Sequence, residues 1–315
     1  MDKLAVLIPA YNESQTIAKV VTDVKAATAN IPGTVVYVYD NNSKDNTVEL
    51  AEQAGAVVRR EYAQGKGAVI RRMFREIEAE AYIMIDADDT YPVEAMPEMF
   101  ERVTKRGVDM VVGDRLSSTY FEENKRPFHN VGNSSVRMLI NTLFKTDIKD
   151  ILTGYRAFSF RFVKTFPVLS RGFEIETEMS IHATEKKMLV ENQVIEYRDR
   201  PEGSESKLDT VGDGIRVLKA VANLYRIYHP MAFFGWIAGI LAVISLAFFV
   251  GRVWLPFAAT GLVLNMPTLV VSMIVLLIAI LALFAGTLLN AIQANEKRNF
   301  ELALIRTEER FNDLK

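Results

Sequence analysis

Asp86-Ala87-Asp88-Asp89 stands directly after the apolar run at 81–85. Carboxylates at i and i+2 past a strand end can share one hard divalent cation, because such ions take oxygen ligands. Mg2+ or Mn2+ held by Asp86 and Asp88 would bind diphosphate oxygens and offset charge on a departing nucleotide. Acid pairs at this spacing are common and most often cap a helix or line a wet loop, so their place in the chain has to decide. A second polar cluster, Asp40-Asn41-Asn42-Ser43-Lys44-Asp45, follows the run at 34–39. Part of it reads as an Asx-rich turn with Ser43 or Asp45 as helix cap. Asp40, at the end of the run, is also placed to accept an N–H from a nucleotide base. Gly65-Lys66-Gly67 precedes a helical pattern. Its amides and Lys66 could meet a phosphate, or it could be a turn carrying a surface lysine.

The elements that must position these residues repeat one arrangement. Short apolar runs at 4–9, 34–39, 81–85 and 108–112 are each followed by a polar turn and a helical pattern. Strands alternating with helices predict an α/β fold with a mostly parallel sheet covered on both faces. Ligands in such folds bind beyond the carboxyl ends of the strands. The turns at 11–13, 40–45, 86–89 and 113–115 are therefore where chemistry is expected. Helices are predicted over 136–144 and 174–187, a last strand over 193–197, a polar loop over 197–213, and an amphipathic helix over 213–228.

Charge and hydropathy set further bounds. The formal net charge is -2, which gives no basic field for nucleic acid. With no cysteine, disulfides and thiolate metal sites are excluded. The opening MDKLAVLIPAYNE reads as a strand and not as a signal peptide, because its apolar run ends at Pro9. No charge occurs over 231–251, and after Arg252 none occurs over 253–295. A bilayer core takes about 20 apolar residues per helix, which predicts two spans, near 231–250 and 268–289, with a connector between them. Arg216, Lys219 and Arg226 precede the spans, and Lys297, Arg298, Arg306 and Arg310 follow them. The excess of positive charge on that side predicts an integral membrane protein with both termini cytoplasmic. The expected division is a catalytic domain at 1–212, a juxtamembrane helix at 213–229, the membrane hairpin at 230–290 and a C-terminal helix at 291–315. Phe300, Leu304, Thr307, Phe311 and Leu314 form a short heptad seam. It could join copies in a homo-oligomer or lie on the domain or membrane.

Taken in order, P-A-Y-N-E, D-N-N-S-K-D-N-T, G-K-G, D-A-D, G-D-R and D-I-L-T-G-Y-R resemble the motifs of inverting family 2 glycosyltransferases over residues 3–228. The branch most similar is that of dolichyl-phosphate mannose synthases and bactoprenyl-phosphate glucosyltransferases, whose bacterial members carry a similar two-span anchor. The resemblance implies a GT-A type nucleotide-sugar-binding domain followed by a transmembrane hairpin and a C-terminal helix. It implies that Pro9, Tyr11, Glu13, Asp40, Lys66 and Asp86 bind the nucleotide-sugar. Asp86 and Asp88 would hold the metal, and Asp88, Asp89, Asp150 and Arg115 would serve the chemistry. Asn41 and Asn42 stand where the family has an acid and a glycine. Tyr197-Arg198-Asp199-Arg200 and Gly203-Ser204-Glu205-Ser206-Lys207 look like the acceptor-side loop. Arg126, Arg137, Arg198, Arg200, Ser206 and Lys207 would then cradle the acceptor phosphate. The implied reaction moves a sugar, with UDP-glucose or UDP-N-acetylglucosamine ahead of GDP-mannose as donor, onto a polyprenyl phosphate such as undecaprenyl phosphate. The product is a lipid-linked phosphosugar for cell-envelope and cell-wall glycans. A phosphate acceptor is already largely ionised, so cations and alignment matter more than a general base. One rival, a processive polysaccharide synthase, calls for a Q-x-x-R-W motif, and neither Trp236 nor Trp254 follows Gln-x-x-Arg. The other, a non-catalytic nucleotide-sugar-binding subunit, has no need of the Asp86/Asp88 pair.

Overall fold

A computed structural model describes residues 1–117, 127–196, 198 and 210–315, with side chains over 1–117, 136–196, 198 and 214–315. Arg126, Arg200, Ser206 and Lys207 lie outside the residues whose side chains are described. The chain forms two compact units, residues 1–221 with 300–315, and residues 222–299.

The first unit is built on a seven-stranded sheet, formed by β1 (Asp2–Ala10), β2 (Thr34–Asp40), β3 (Val57–Arg60), β4 (Ala79–Met84), β5 (Met110–Asp114), β6 (Arg156–Ser159) and β7 (Val190–Val194). The order is β3-β2-β1-β4-β6-β5-β7, and only β6 runs antiparallel to its neighbours. The interior strand β1 is fully buried from Leu4 to Ile8, which is why it reads as an unbroken apolar run. Helices α1 (Ile17–Ala27), α2 (Thr47–Gln53), α3 (Lys66–Glu76) and α4 (Met96–Arg106) connect the strands. Ile17, Val20, Val21 and Val24 form the buried stripe of α1 at helical spacing.

Register places the site. Ala10 pairs with Asp40, so the turns after β1 and β2 leave the sheet level with each other. Arg156, the first residue of β6, pairs with Met84 on one side and Val112 on the other. Because β6 is reversed, the loop before it, 150–155, emerges where β4 and β5 end. The reversal thus brings the D-I-L-T-G-Y-R segment to the D-A-D and G-D-R segments.

Helix α5 (Pro127–Phe144), α6 (Phe160–Thr165) and α7 (Ile175–Glu185) complete the first unit's α-layer. The last strand was expected at 193–197 and is found at Val190–Val194. Lys187, at φ 54°, turns the chain straight out of α7, and Asp109 accepts the Leu189 N–H at 2.9 Å, so the strand starts early.

Helix α8 (Thr210–Tyr228) leads to the second unit, which holds α9 (Pro230–Phe249), a π-helical turn at Val250–Trp254, α10 (Leu255–Thr260) and most of α11 (Met266–Leu314). Two stretches, Pro230–Thr260 and Met266–Leu314, are long and apolar enough to cross a membrane. Ala238, Ser245, Ser272 and Ala279 are buried, and Ser245 donates to the Ser272 carbonyl at 2.7 Å. The large side chains Trp236, Ile240, Leu277 and Phe284 face outward, the reverse of a water-soluble core. The connector, expected over 251–267, is only 261–265. Pro256 directly follows the π-helical turn at Val250–Trp254 and does not end the helical run.

The heptad seam in the tail belongs to the first unit. The Phe300 ring centroid lies 5.7 Å from that of His182, and the Phe311 ring 5.1 Å from Phe160. Arg310 pairs with Glu78 at 2.6 Å. These contacts lay the tail helix on the domain.

Candidate active site

At the ends of β1 and β2 the backbone is knitted by side chains. Asn12 and Asn42 adopt left-handed φ of 51° and 68°, which asparagine tolerates better than most residues. Asn12 Oδ1 accepts the Lys44 N–H at 2.7 Å, Ser43 Oγ accepts the Asn12 N–H at 2.8 Å, and Thr47 Oγ1 accepts the Glu13 N–H at 2.9 Å. Asp45 accepts the Ser14 N–H at 3.2 Å. Burial opposes ionisation of Asp45, but its bonds to Thr47 and Ser14 outweigh that and lower its pKa. Asp40 is fully buried, accepts the Ser43 N–H at 3.1 Å and lies 3.3 Å from Arg60 Nε. The segment is thus an Asx turn, with Asp40 anchored at its strand end by Ser43 and Arg60. Pro9, near the end of β1, and Tyr11 and Glu13, on the turn after it, are half-buried.

Asn41, where the family has an acid, has a structural task. Its Nδ2 donates to the carbonyls of Glu61 and Ala63, each at 2.9 Å, and its Oδ1 accepts the Gly65 N–H at 2.7 Å. It thereby fixes the approach to Lys66. Gly65 has φ 125°, and a Cβ there would lie 2.2 Å from the Arg171 carbonyl oxygen. A Cβ on Gly67 would lie 2.1 Å from the Ser170 carbonyl oxygen. The Gly67 N–H donates to the Arg171 carbonyl at 3.0 Å. The glycines admit a second loop against the start of α3, and the amides of Gly65 and Gly67 are engaged within the protein, not turned to a phosphate.

Nor is Lys66 a surface lysine. Its side chain is 8% exposed, with Nζ 2.5 Å from Asp86 Oδ1 and 2.7 Å from Glu176 Oε1. Burial works against the ammonium, but the two carboxylates prevail and hold its pKa above the usual lysine value. Glu176 was not singled out in the sequence. It lies in α7, a helix buried on nearly every face, so no periodic stripe marks its acids as unusual.

Asp88 is buried, and its Oδ1 accepts the Thr90 hydroxyl at 2.7 Å. Thr16 donates to the Ala87 carbonyl at 2.6 Å, tying this loop to α1. Asp89, at φ 59°, pairs with Lys19 of α1 at 2.8 Å. Arg115 makes a two-pronged contact with Asp150, Nε–Oδ2 at 2.7 Å and Nη2–Oδ1 at 3.2 Å. Its guanidinium lies 5.6 Å from the Tyr91 ring centroid. Tyr91 Oη accepts the Gly154 N–H at 3.1 Å. Gly154 abuts Asp86: a Cβ there would lie 2.4 Å from Asp86 Oδ2. Arg156 is fully buried and donates to the carbonyls of Thr153 (3.0 Å) and Ile151 (2.6 Å) and to Ser180 Oγ (2.9 Å), so it shapes the 151–154 loop. Burial lowers its pKa to about 10.

The two described cations of the expected acceptor cradle are engaged elsewhere. Arg137 donates to the Lys149 carbonyl at 3.3 Å, and Arg198 pairs with Glu94 at 3.1 Å. Among the described residues no three His, Asp or Glu side chains gather around one point. Asp86 and Asp88 supply hard oxygen donors, and Gly154 leaves the space beside Asp86 unfilled by a side chain. The residues present fit a Mg2+ or Mn2+ ion whose remaining ligands come from a diphosphate.

The seven-stranded sheet with its acids at the strand ends is an α/β domain of GT-A type. Residues 5–167 match the glycosyl transferase family 2 profile, and the chain belongs to that family of glycosyltransferases. It is 33% identical over 257 residues to glycosyltransferase AglJ of Haloferax volcanii, covering 80% of this chain and 82% of the relative. A dolichyl-phosphate hexose transferase of the same organism is 28% identical, with 71% of this chain and 94% of the relative covered. Among solved structures, glucosyl-3-phosphoglycerate synthase of Mycobacterium tuberculosis, in complex with Mn2+, UDP and phosphoglyceric acid, superposes with a TM-score of 0.55. That match has 20% identity and covers 71% of this chain and 78% of the synthase, a likeness of fold.

Proposed function

We propose that this glycosyltransferase moves a hexose from a nucleoside diphosphate sugar, UDP-glucose or UDP-N-acetylglucosamine, to a polyprenyl phosphate at the cytoplasmic face of a membrane. An acceptor phosphate oxygen bonds to the anomeric carbon as the bond from that carbon to the diphosphate breaks. The nucleoside diphosphate leaves, and a lipid-linked phosphosugar remains. In one displacement the sugar inverts, as the family resemblance implies.

One observation carries this reading. The two acids Asp86 and Asp150 each hold a cation, Lys66 and Arg115. Neither stands as an unpaired base for a sugar hydroxyl. A phosphomonoester has a second pKa of about 6 and needs no such base. Asp150 then serves to aim Arg115 at the acceptor phosphate or the departing diphosphate. Asp40 accepts from the base, and Tyr11 and Glu13 flank it. Asp86 and Asp88 would hold a divalent cation that neutralises charge on the diphosphate. Asp89, held by Lys19, has no direct part in this scheme. Arg126, Arg200, Ser206 and Lys207 complete the acceptor side of the proposal, and the apolar hairpin keeps the enzyme where a polyprenyl tail resides. The relative named as a dolichyl-phosphate hexose transferase supports the acceptor class.

The test is turnover of the purified full chain with labelled UDP-glucose, UDP-N-acetylglucosamine or GDP-mannose and a short-chain polyprenyl phosphate. Label should pass into an acid-labile lipid phosphosugar with one of the donors. Transfer only to a sugar hydroxyl would overturn the acceptor assignment.

A further inference from the structure

Lys66 and the proposed metal make claims on the same carboxylate. Lys66 Nζ sits 2.5 Å from Asp86 Oδ1, and Asp86 is one of the two carboxylates offered to the cation. An ammonium and a divalent ion on one carboxylate repel each other, and with the Lys66 side chain only 8% exposed water screens that repulsion little. Lys66 therefore needs somewhere else to rest. Glu176 supplies it: Oε1 is already 2.7 Å from Nζ, and Oε2 is buried with no hydrogen-bond partner among the described residues. The Glu176 side chain is 3% exposed, so water does not fill that role freely. An ammonium carries three donors, enough to engage both oxygens of Glu176 once it leaves Asp86. The start of α3 is locked by the close approach of Gly65 and Gly67 to the 170–171 carbonyls, so the movement falls to the lysine side chain alone.

We propose that Glu176 is a positioning residue that draws Lys66 off Asp86 and so opens the carboxylate to the divalent cation. The inference rests on the metal reading above. It extends that reading from the two aspartates to a lysine and a glutamate on separate elements. Without cation, Lys66 bridges Asp86 and Glu176 and balances their charge. With cation, Lys66 belongs to Glu176 and stands beside the metal-bound diphosphate.

The experiment is Mn2+ binding to the detergent-solubilised full chain without donor, read from the electron paramagnetic resonance signal of free Mn2+. Glu176→Gln leaves Lys66 with Asp86 as its one carboxylate and should weaken Mn2+ binding by about three- to tenfold. Lys66→Met removes the competitor and should tighten binding by a similar factor. A purely structural role would not move the two variants in opposite directions. Unchanged Mn2+ affinity in Glu176→Gln overturns the proposal, as does weaker or unchanged affinity in Lys66→Met. The second variant decides the matter if Glu176→Gln fails to fold. Asp88→Asn separates the two levels of the argument. If it binds Mn2+ as the wild type does, the metal reading itself is wrong. If it loses binding while Glu176→Gln keeps it, only the role of Glu176 falls.

Discussion

At the scale of single residues, Asp88 and Gly154 divide the chemistry of the Asp86–Asp89 loop from its shape. Asp88→Asn keeps the size of the side chain and its bond to Thr90 but removes the charge. The transition temperature should stay near wild type, while Mn2+-dependent donor binding is lost and kcat/KM falls by roughly a hundredfold or more. Full rates in excess EDTA would count against a metal altogether. Gly154→Ala acts by volume, since its Cβ would fall 2.4 Å from Asp86 Oδ2. It should raise the donor KM and the Mn2+ requirement together, and a variant with wild-type kinetics would show that the loop yields freely. His182 governs a different property. It is buried among the rings of Phe162, Phe166 and Phe300, with Lys186 as the charged neighbour. Burial first, and then Lys186, press its pKa from 6.5 down to about 3. The folded chain keeps it neutral where the unfolded chain takes a proton. Its neutral burial costs nothing above pH 6.5, and stability falls as pH drops from 6.5 toward about 3. The slope is at most ~1.4 kcal/mol per pH unit. Thermal melts at pH 7 and pH 5 should show a larger drop for wild type than for His182→Phe, and parallel drops would remove His182 from the account.

At the scale of elements, the structure separates what the sequence makes visible from what it hides. β1, β2, β4 and β5 are legible because strands buried on both faces must be apolar throughout. β3, with Val57, Val58, Arg59 and Arg60, is a four-residue edge strand whose exposed side carries charge, so it shows no run. β6, Arg156–Ser159, is as short and opens with a buried arginine that looks like a functional residue. Its reversal, which delivers Gly154 to Asp86 and Asp150 to Arg115, is a tertiary fact with no local signature. The strand-end acids were legible because strand and turn adjoin in sequence. Glu176 was not, because only packing brings α7 to α3. The tail seam shows the same limit from the other side: the heptad spacing is present, but its partner is the domain's own His182, Lys186 and Phe160. Phe300 is buried, with Lys186 Nζ 4.5 Å from its ring centroid. Phe300→Ala should cost about 2–4 kcal/mol of stability in the catalytic unit. Its effect belongs in the melting curve, with molar mass by light scattering unchanged. A smaller assembly at unchanged melting temperature would instead make the seam a contact between copies.

At the scale of the whole molecule, the apolar hairpin raises the question of which side of a bilayer the catalytic unit faces. Large apolar side chains cover the outside of the hairpin, with Trp236 72% exposed, while small and hydroxyl residues fill its seam. That distribution suits lipid as surroundings, where close helix approach relies on small residues. The first helix runs from Pro230 to Thr260 and carries Arg252 near its far end, within reach of the interface by snorkelling. The connector between the two helices, 261–265, has no charge, whereas Lys297, Arg298, Arg306 and Arg310 follow the second apolar stretch and Arg216, Lys219 and Arg226 precede the first. By the positive-inside rule this bias predicts both ends of the hairpin on the cytoplasmic side and the short connector on the other. The chain has no cysteine, so single introduced thiols report without background. Leu262→Cys is in the connector and Asp313→Cys is in the exposed end of the tail helix. In intact cells an impermeant thiol reagent should label the first and spare the second, and permeabilised cells should label both. The opposite pattern in intact cells would put the strand-end acids on the side of the membrane without donor, and the proposed transfer reaction would then fail for want of substrate.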